Sequence, residues 1–133
     1  MNSIVEVVKE LPKMACVGRT SEEVIAFAAK ELQLCFSEEY RLYLAEFGAV
    51  SARHLELTGI ISVDYCNVVS ATKAAWKLNP QVPHTMYVIE NTYIDGVVIW
   101  QDSTGAIYQT KPNHEPKTVA ASMAEYVVGR TKQ

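Results

Sequence analysis

Apolar positions along the chain recur at helical spacing in the first third and at strand spacing beyond it. Residues 4–11 read as a short first helix, ended by Pro12. Ile25, Ala28, Ala29 and Leu32 then fall at i, i+3, i+4 and i+7, one apolar stripe. Thr20 is its expected N-cap, with Glu23 completing a capping box. Tyr40, Tyr43, Leu44 and Phe47 repeat the spacing after Ser37, a second expected N-cap, and Gly48 supplies the terminating glycine. Leu55, Leu57 and Gly59 alternate with Glu56 and Thr58 before Ile60 and Ile61, a strand entering a loop. Asn67 or Ser70 opens a helix through Ala71 to Lys77, which Asn79-Pro80 ends. Residues 86–89, residues 97–100 and a run opening at Ile107-Tyr108 read as strands. The turns at 91–96 and 102–105 join them into an antiparallel meander. Pro112 and Pro116 punctuate a loop, and Thr118 is the expected cap of a last helix carrying Val119, Met123, Tyr126 and Val127.

Helices first, a meander second and a terminal helix third predict an α+β fold. The expected architecture is a single domain over residues 1–133, with N-terminal helices packed on an antiparallel sheet and a C-terminal helix. A chain of 133 residues, 49% apolar and 20% charged, is sized for one hydrophobic core. The opening ten residues carry no basic leader before an apolar stretch, and the longest apolar runs, 24–29 and 97–100, cannot span a bilayer. A cytoplasmic location without membrane contact is therefore expected. Cys16, Cys35 and Cys66 are odd in number and widely spaced, so neither a disulfide framework nor a zinc knuckle is predicted. They are expected to be three buried thiols in a reducing compartment.

Charge changes the picture through its distribution rather than its net value of −3. Between Glu22 and Asp64, eight acidic residues face only Lys30, Arg41 and Arg53, a net of −5, whereas Lys111 to Gln133 carries +2. An acidic half repels phosphate backbones and attracts basic proteins, which disfavours direct nucleic-acid binding.

A search for chemistry yields no catalytic residue, no metal site and no cofactor. His54, His84 and His114 stand thirty residues apart and form no HxxxH or HExxH pattern. Cys66 with His54 or His84 would be a nucleophile pair with nothing to orient it. Ser103 lies in Asp102-Ser-Thr-Gly105, which is turn chemistry, and there is neither a P-loop nor GxGxxG. Glu90 and Asp95 are placed near one end of the sheet. With Glu56 and Asp64 they read as an acidic rim, against the ordinary reading of a turn pair and a solvated strand end. Tyr93, in a polar turn, and Tyr65, beside Asp64, have little core to fill and fit an interface, where rings bury much area at low entropic cost. The candidate partner-binding set is therefore Glu56, Asp64, Tyr65, Glu90, Tyr93 and Asp95. Tyr40, Tyr43, Phe47, Trp76 and Tyr126 read as core, and Trp100 as either sheet core or exposed face.

Several segments, in order, resemble the SUKH superfamily, which takes in bacterial toxin-immunity proteins and a yeast cell-wall assembly regulator. They are Thr20-Ser-Glu-Glu-Val-Ile through Leu34, Ser37-Glu-Glu-Tyr-Arg-Leu-Tyr-Leu-Ala-Glu-Phe-Gly48, Leu55-Glu-Leu-Thr-Gly59, Val68-Val-Ser-Ala-Thr72, Met86-Tyr-Val-Ile-Glu90-Asn91 and Ile99-Trp-Gln-Asp102-Ser-Thr-Gly105-Ala-Ile-Tyr108. The resemblance covers residues 20–128. Cys35-Phe36 stands where the family usually has a leucine-proline pair, and Ala49-Val50 replaces a further glycine. The resemblance implies an immunity protein that neutralises a cognate toxin by protein–protein contact, without catalysis or cofactor. A basic, nuclease-like toxin would complement the acidic half. Two other classes remain open: a regulatory scaffold domain, and a small hydrolase with a spatially assembled Cys–His or Ser–His site. The sequence leaves the oligomeric state undetermined.

Overall fold

The computed structural model describes residues 3–131; Met1, Asn2, Lys132 and Gln133, the outer positions of the expected domain, lie outside the described residues. Among the described residues five α-helices accompany two antiparallel sheets. The first helix, α1 (Ile4–Lys9), is followed by strand β1 (Ala15–Cys16) and helices α2 (Glu22–Leu32) and α3 (Glu38–Phe47). Strands β2 (Val50–Ala52) and β3 (Leu55–Glu56) join β1 in a three-stranded sheet of order β1-β2-β3. A 3₁₀ turn, Asp64–Cys66, leads into α4 (Val68–Leu78). The meander β4 (Tyr87–Asn91), β5 (Val98–Gln101), β6 (Ile107–Thr110) and β7 (Lys117–Ala120) forms the second sheet in chain order, and α5 (Met123–Thr131) closes the domain. The α+β class, the helices on a meander and the C-terminal helix stand as the sequence predicts. Among the described residues no helix is long and apolar enough to cross a membrane.

Local chemistry sets most helix ends. Ser37 Oγ accepts from Tyr40 N at 2.9 Å, and Gly48, at φ 75°, ends α3. Asn67, rather than Ser70, opens α4: its Oδ1 accepts from Val69 N at 2.9 Å while its Nδ2 donates to Ile61 O at 2.8 Å. Thr20 is not the cap of α2. Ser21 Oγ accepts from Val24 N, and the Thr20 N–H is drawn to Ala45 O, outside the helix. Thr118 likewise caps nothing: it pairs with Tyr108 in β7, a fourth meander strand where a helix was expected. The last helix begins only after Ser122, whose Oγ accepts from Glu125 N, while Glu125 Oε2 accepts from Ala121 N. That Ser-x-x-Glu pairing competes successfully with Thr118 for the helix start.

The second sheet is covered on both faces, so all four residues of β5 are buried. Tyr87, Ile89, Ile99 and Ile107 join the main core with α1, α2 and α3, while Val88, Val98 and Trp100 meet Ala75, Val82 and Met86 on the α4 side. Trp100 is therefore sheet core, its Nε1 donating to Thr110 Oγ1 at 2.8 Å. Two polar networks tie the layers together. Thr58 Oγ1 donates to Val88 O, which leaves Tyr40 OH to donate to Thr58 Oγ1, both at 2.8 Å. Tyr43 OH donates to Thr58 O at 2.7 Å and accepts from Val50 N at 3.0 Å. In the other network, buried Gln101 accepts from Tyr87 OH and Ser37 Oγ and donates to Glu39 Oε1 and Gly105 O. Every polar atom of that amide is satisfied, as burial requires.

Gly59 shows how closely the two halves approach. A Cβ there would lie 1.9 Å from Gly48 O, so only glycine lets the chain after β3 cross the end of α3.

Candidate functional site

The two sheets meet where Thr58 N donates to Ile89 O at 2.9 Å, and they part beyond it. A cleft of about 1100 Å³ occupies the opening. The β2–β3 hairpin forms one wall, the 92–97 turn another, and α5 a third; Ile99 and Gln109 lie between them.

A β-bulge fixes what sits inside. Between Val88 and Glu90 the β4–β5 register shifts, so that Ile89 and Glu90 together oppose Ile99. Strict alternation would turn Glu90 toward α4; the extra residue turns it instead to the cleft side. There it is 3% exposed, which corrects the expectation of an acid on an exposed rim. The physical reason is α5. Arg130 Nη2 and Nε donate to Glu90 Oε2 at 2.7 Å and Oε1 at 3.1 Å, a two-pronged grip, and Tyr126 OH donates to Oε1 as well. Arg130 Nη2 also donates to His54 O at 2.9 Å, bridging the two sheets. Burial and the adjacent Glu90 carboxylate push the Tyr126 phenol up, and hydrogen bonding to Glu90 raises the Arg130 guanidinium further. The buried acid is thus committed to a cation and a phenol and is not a free general base.

The rim carries the exposed chemistry. Tyr65 OH donates to Glu56 Oε2 at 3.2 Å, and the charge on Glu56 raises the Tyr65 phenol. Tyr93 lines the same cleft; partial burial, then Glu56, raises it too. Its turn is unusual. Tyr93 and Asp95 have φ of 56° and 53°, the left-handed region that costs a non-glycine residue strain. Asn91 Oδ1, accepting from Tyr93 N at 3.0 Å, and Thr92 Oγ1, donating to Val97 O at 2.8 Å, hold the loop in that shape. Tyr93 and Ile94 are consequently presented at 65% and 66% exposure in a fixed turn, an arrangement that suits docking.

A family model described as SMI1-KNR4 cell-wall, SUKH_5, matches residues 1–129. The chain belongs to this SUKH family. Compared with curated proteins, it matches none.

Within this SUKH domain the sequence-derived candidates separate. Glu56, Glu90 and Tyr93 line the cleft, and Tyr65 joins them through Glu56. Asp64 begins the 3₁₀ turn and Asp95 sits in the exposed 92–97 turn; neither lines the cleft. Tyr126 and Arg130, four residues apart on one face of α5, were missed as site residues, Tyr126 having read as core. It is half-buried and faces the cleft, and Trp76 is also only half-buried, stacked on His84 at 4.0 Å between ring centres. The thiols differ from expectation: Cys66 is buried, whereas Cys16, on the outer strand β1, and Cys35, in the connection between α2 and α3, are exposed. Burial, and then Glu56, push the Cys66 thiol up, the opposite of what activates a nucleophile. The three histidines are dispersed: His54 in the cleft, His84 against Trp76, and His114 Nδ1 beside Pro112 O. Among the described residues no three His, Cys, Asp or Glu side chains are grouped as for a metal ion.

Proposed function

We propose that this SUKH domain is an immunity protein that neutralises a cognate toxin by direct contact, with the cleft between the sheets as its docking surface. The observation that carries the reading is the fixed 92–97 turn, which presents Tyr93 and Ile94 beside the accessible Glu56 and Tyr65. Rigid exposed aromatics ringed by polar groups are the usual anchors of protein interfaces. With the Glu90–Arg130 pair internally neutral, the remaining acids of the cleft are Glu56 and Glu125, a surface that complements a basic toxin such as a nuclease. On this reading the protein is not an enzyme, needs no cofactor, and works in the cytoplasm where a nuclease would act.

Co-expression with the toxin encoded beside it is the test. Growth should be rescued by the chain and lost when the cleft is blocked by Ile94→Arg. A harmless neighbour, or no rescue by the unaltered chain, would refute the reading.

A regulatory scaffold is a second reading, supported by the cell-wall description of the matching family. It expects several cellular partners on the same surface and no protection from any toxin.

A further inference from the structure

We propose that Glu56, Tyr65 and Tyr93 form a receptacle for one arginine side chain of the docking partner; this rests on the cleft being the docking surface. Tyr65 occupies only Oε2 of Glu56, and the other carboxylate oxygen has no partner among the described residues. The carboxylate therefore keeps acceptor capacity directed at an incoming donor. Phenol rings stand close by, Tyr65 at 52% exposure and Tyr93 at 65%, and Glu56 with Tyr93 belongs to one cleft wall and the facing turn. A planar guanidinium suits this chemistry better than a compact ammonium. Its edge bonds the carboxylate while its face lies on an aromatic ring, and its weaker hydration lowers the cost of leaving water.

The surroundings favour a cation as well. Arg130 is held by Glu90, so its charge is already matched and does not repel a second cation as a bare one would. The raised Tyr65 phenol fits the same field, since the Glu56 carboxylate that keeps its proton on also attracts positive charge; Tyr93 is raised first by partial burial and then by Glu56. The strained turn that fixes Tyr93 limits the ordering needed on binding.

The test uses the full chain with ring-labelled tyrosines, titrated by NMR with a short capped arginine–glycine peptide. Its control is the same peptide with citrulline, the neutral isostere, in place of arginine. Saturable shifts are expected at the Tyr65 and Tyr93 rings, with Tyr126, locked to Glu90, unmoved. Citrulline should bind at least about tenfold more weakly, roughly the loss of one charge-assisted contact. Glu56→Gln should abolish the response, and Glu38→Gln, at an exposed acid outside the cleft, should leave it in place. Equal responses to both peptides, an unaffected Glu56→Gln variant, or shifts spread evenly over Tyr108 and Tyr126 would overturn the receptacle. No toxin enters this experiment. A failed rescue with an intact peptide response refutes toxin neutralisation alone, and a lost response with intact rescue refutes the receptacle alone.

Discussion

Arg130 and Glu90 meet at 2.7 Å, and the same guanidinium nitrogen reaches His54 O at 2.9 Å. One residue of α5 thereby ties the buried bulge of one sheet to the hairpin of the other. Removing a partner from a buried pair costs about 3–5 kcal/mol, because the remaining charge is stranded. The Arg130 side chain is 24% exposed, so water compensates part of the loss, and Arg130→Ala should cost about 2–4 kcal/mol. The double variant Glu90→Gln with Arg130→Met should be less destabilised than Arg130→Ala. Urea titrations of the variants measure this; additive losses would show that the pair is not coupled.

Glu39 accepts from the two amides at the start of α5 that Ser122 leaves open. Its Oε1 accepts from Met123 N at 2.7 Å and its Oε2 from Ala124 N at 2.9 Å, while Gln101 Nε2 donates to Oε1 at 3.0 Å. A carboxylate at these first amides satisfies orphan donors and matches the positive end of the helix dipole. Glu39→Ala should cost about 2–3 kcal/mol and speed hydrogen exchange in α5 before the rest of the molecule. Glu38→Ala, exposed on the same turn, should stay within about 0.5 kcal/mol. Unchanged exchange in α5 would contradict the capping role.

Where the deciding force is local, the fold is legible in the chain. Ser37, Gly48, Asn67 and Asn79 each mark a helix end where the structure has one, because a side-chain oxygen, a missing Cβ or a following proline acts within a few residues. Alternation at Leu55 and Leu57 marks β3, whereas β1 and β2, two and three residues long, are too short for alternation to show and exist through pairings such as Ala15 with Ser51. Thr118 misled for a related reason: the strand it joins is specified by β6. At the cleft, Tyr65 and Tyr93 were legible as rings without a core, and Glu56 as an accessible acid. Glu90 was not, since its burial depends on a one-residue bulge and on Arg130, forty positions along the chain.

Alkali should unfold the protein. Burial, the first cause for each, pushes the phenols of Tyr40, Tyr43, Tyr87 and Tyr126 well above the ordinary value of 10. A group raised on folding keeps its full stabilising contribution below its unfolded value and loses it as pH climbs toward the folded one. Above pH 10 the unfolded chain releases these protons and the native state holds them, so stability falls by about 1.4 kcal/mol per pH unit for each phenol. Stability should therefore be unaffected by these groups from neutral pH to about 10 and decline steeply beyond. Tyrosinate absorbance checks the assignment. Of the seven tyrosines, Tyr65, Tyr93 and Tyr108 should ionise before unfolding and the other four with it. Ionisation of all seven in the native state would contradict it.

Binding through the cleft predicts a sharp division between affinity and stability. Tyr93 and Ile94 are about two-thirds exposed, so truncating either should change folding stability by no more than about 0.5 kcal/mol. An anchor at an interface loses about 2 kcal/mol or more on truncation, roughly a thirtyfold rise in Kd. On the proposed reading, Tyr93→Ala should therefore weaken binding of the docking partner while leaving the urea midpoint in place. Glu56→Gln should flatten the dependence of the association rate on salt, since a rim charge steers encounter, and should also speed dissociation through the lost arginine contact. Stopped-flow association across ionic strengths separates the two effects. A Tyr93→Ala variant that binds toxin as tightly as the parent, with its stability intact, would place the docking surface elsewhere on the molecule.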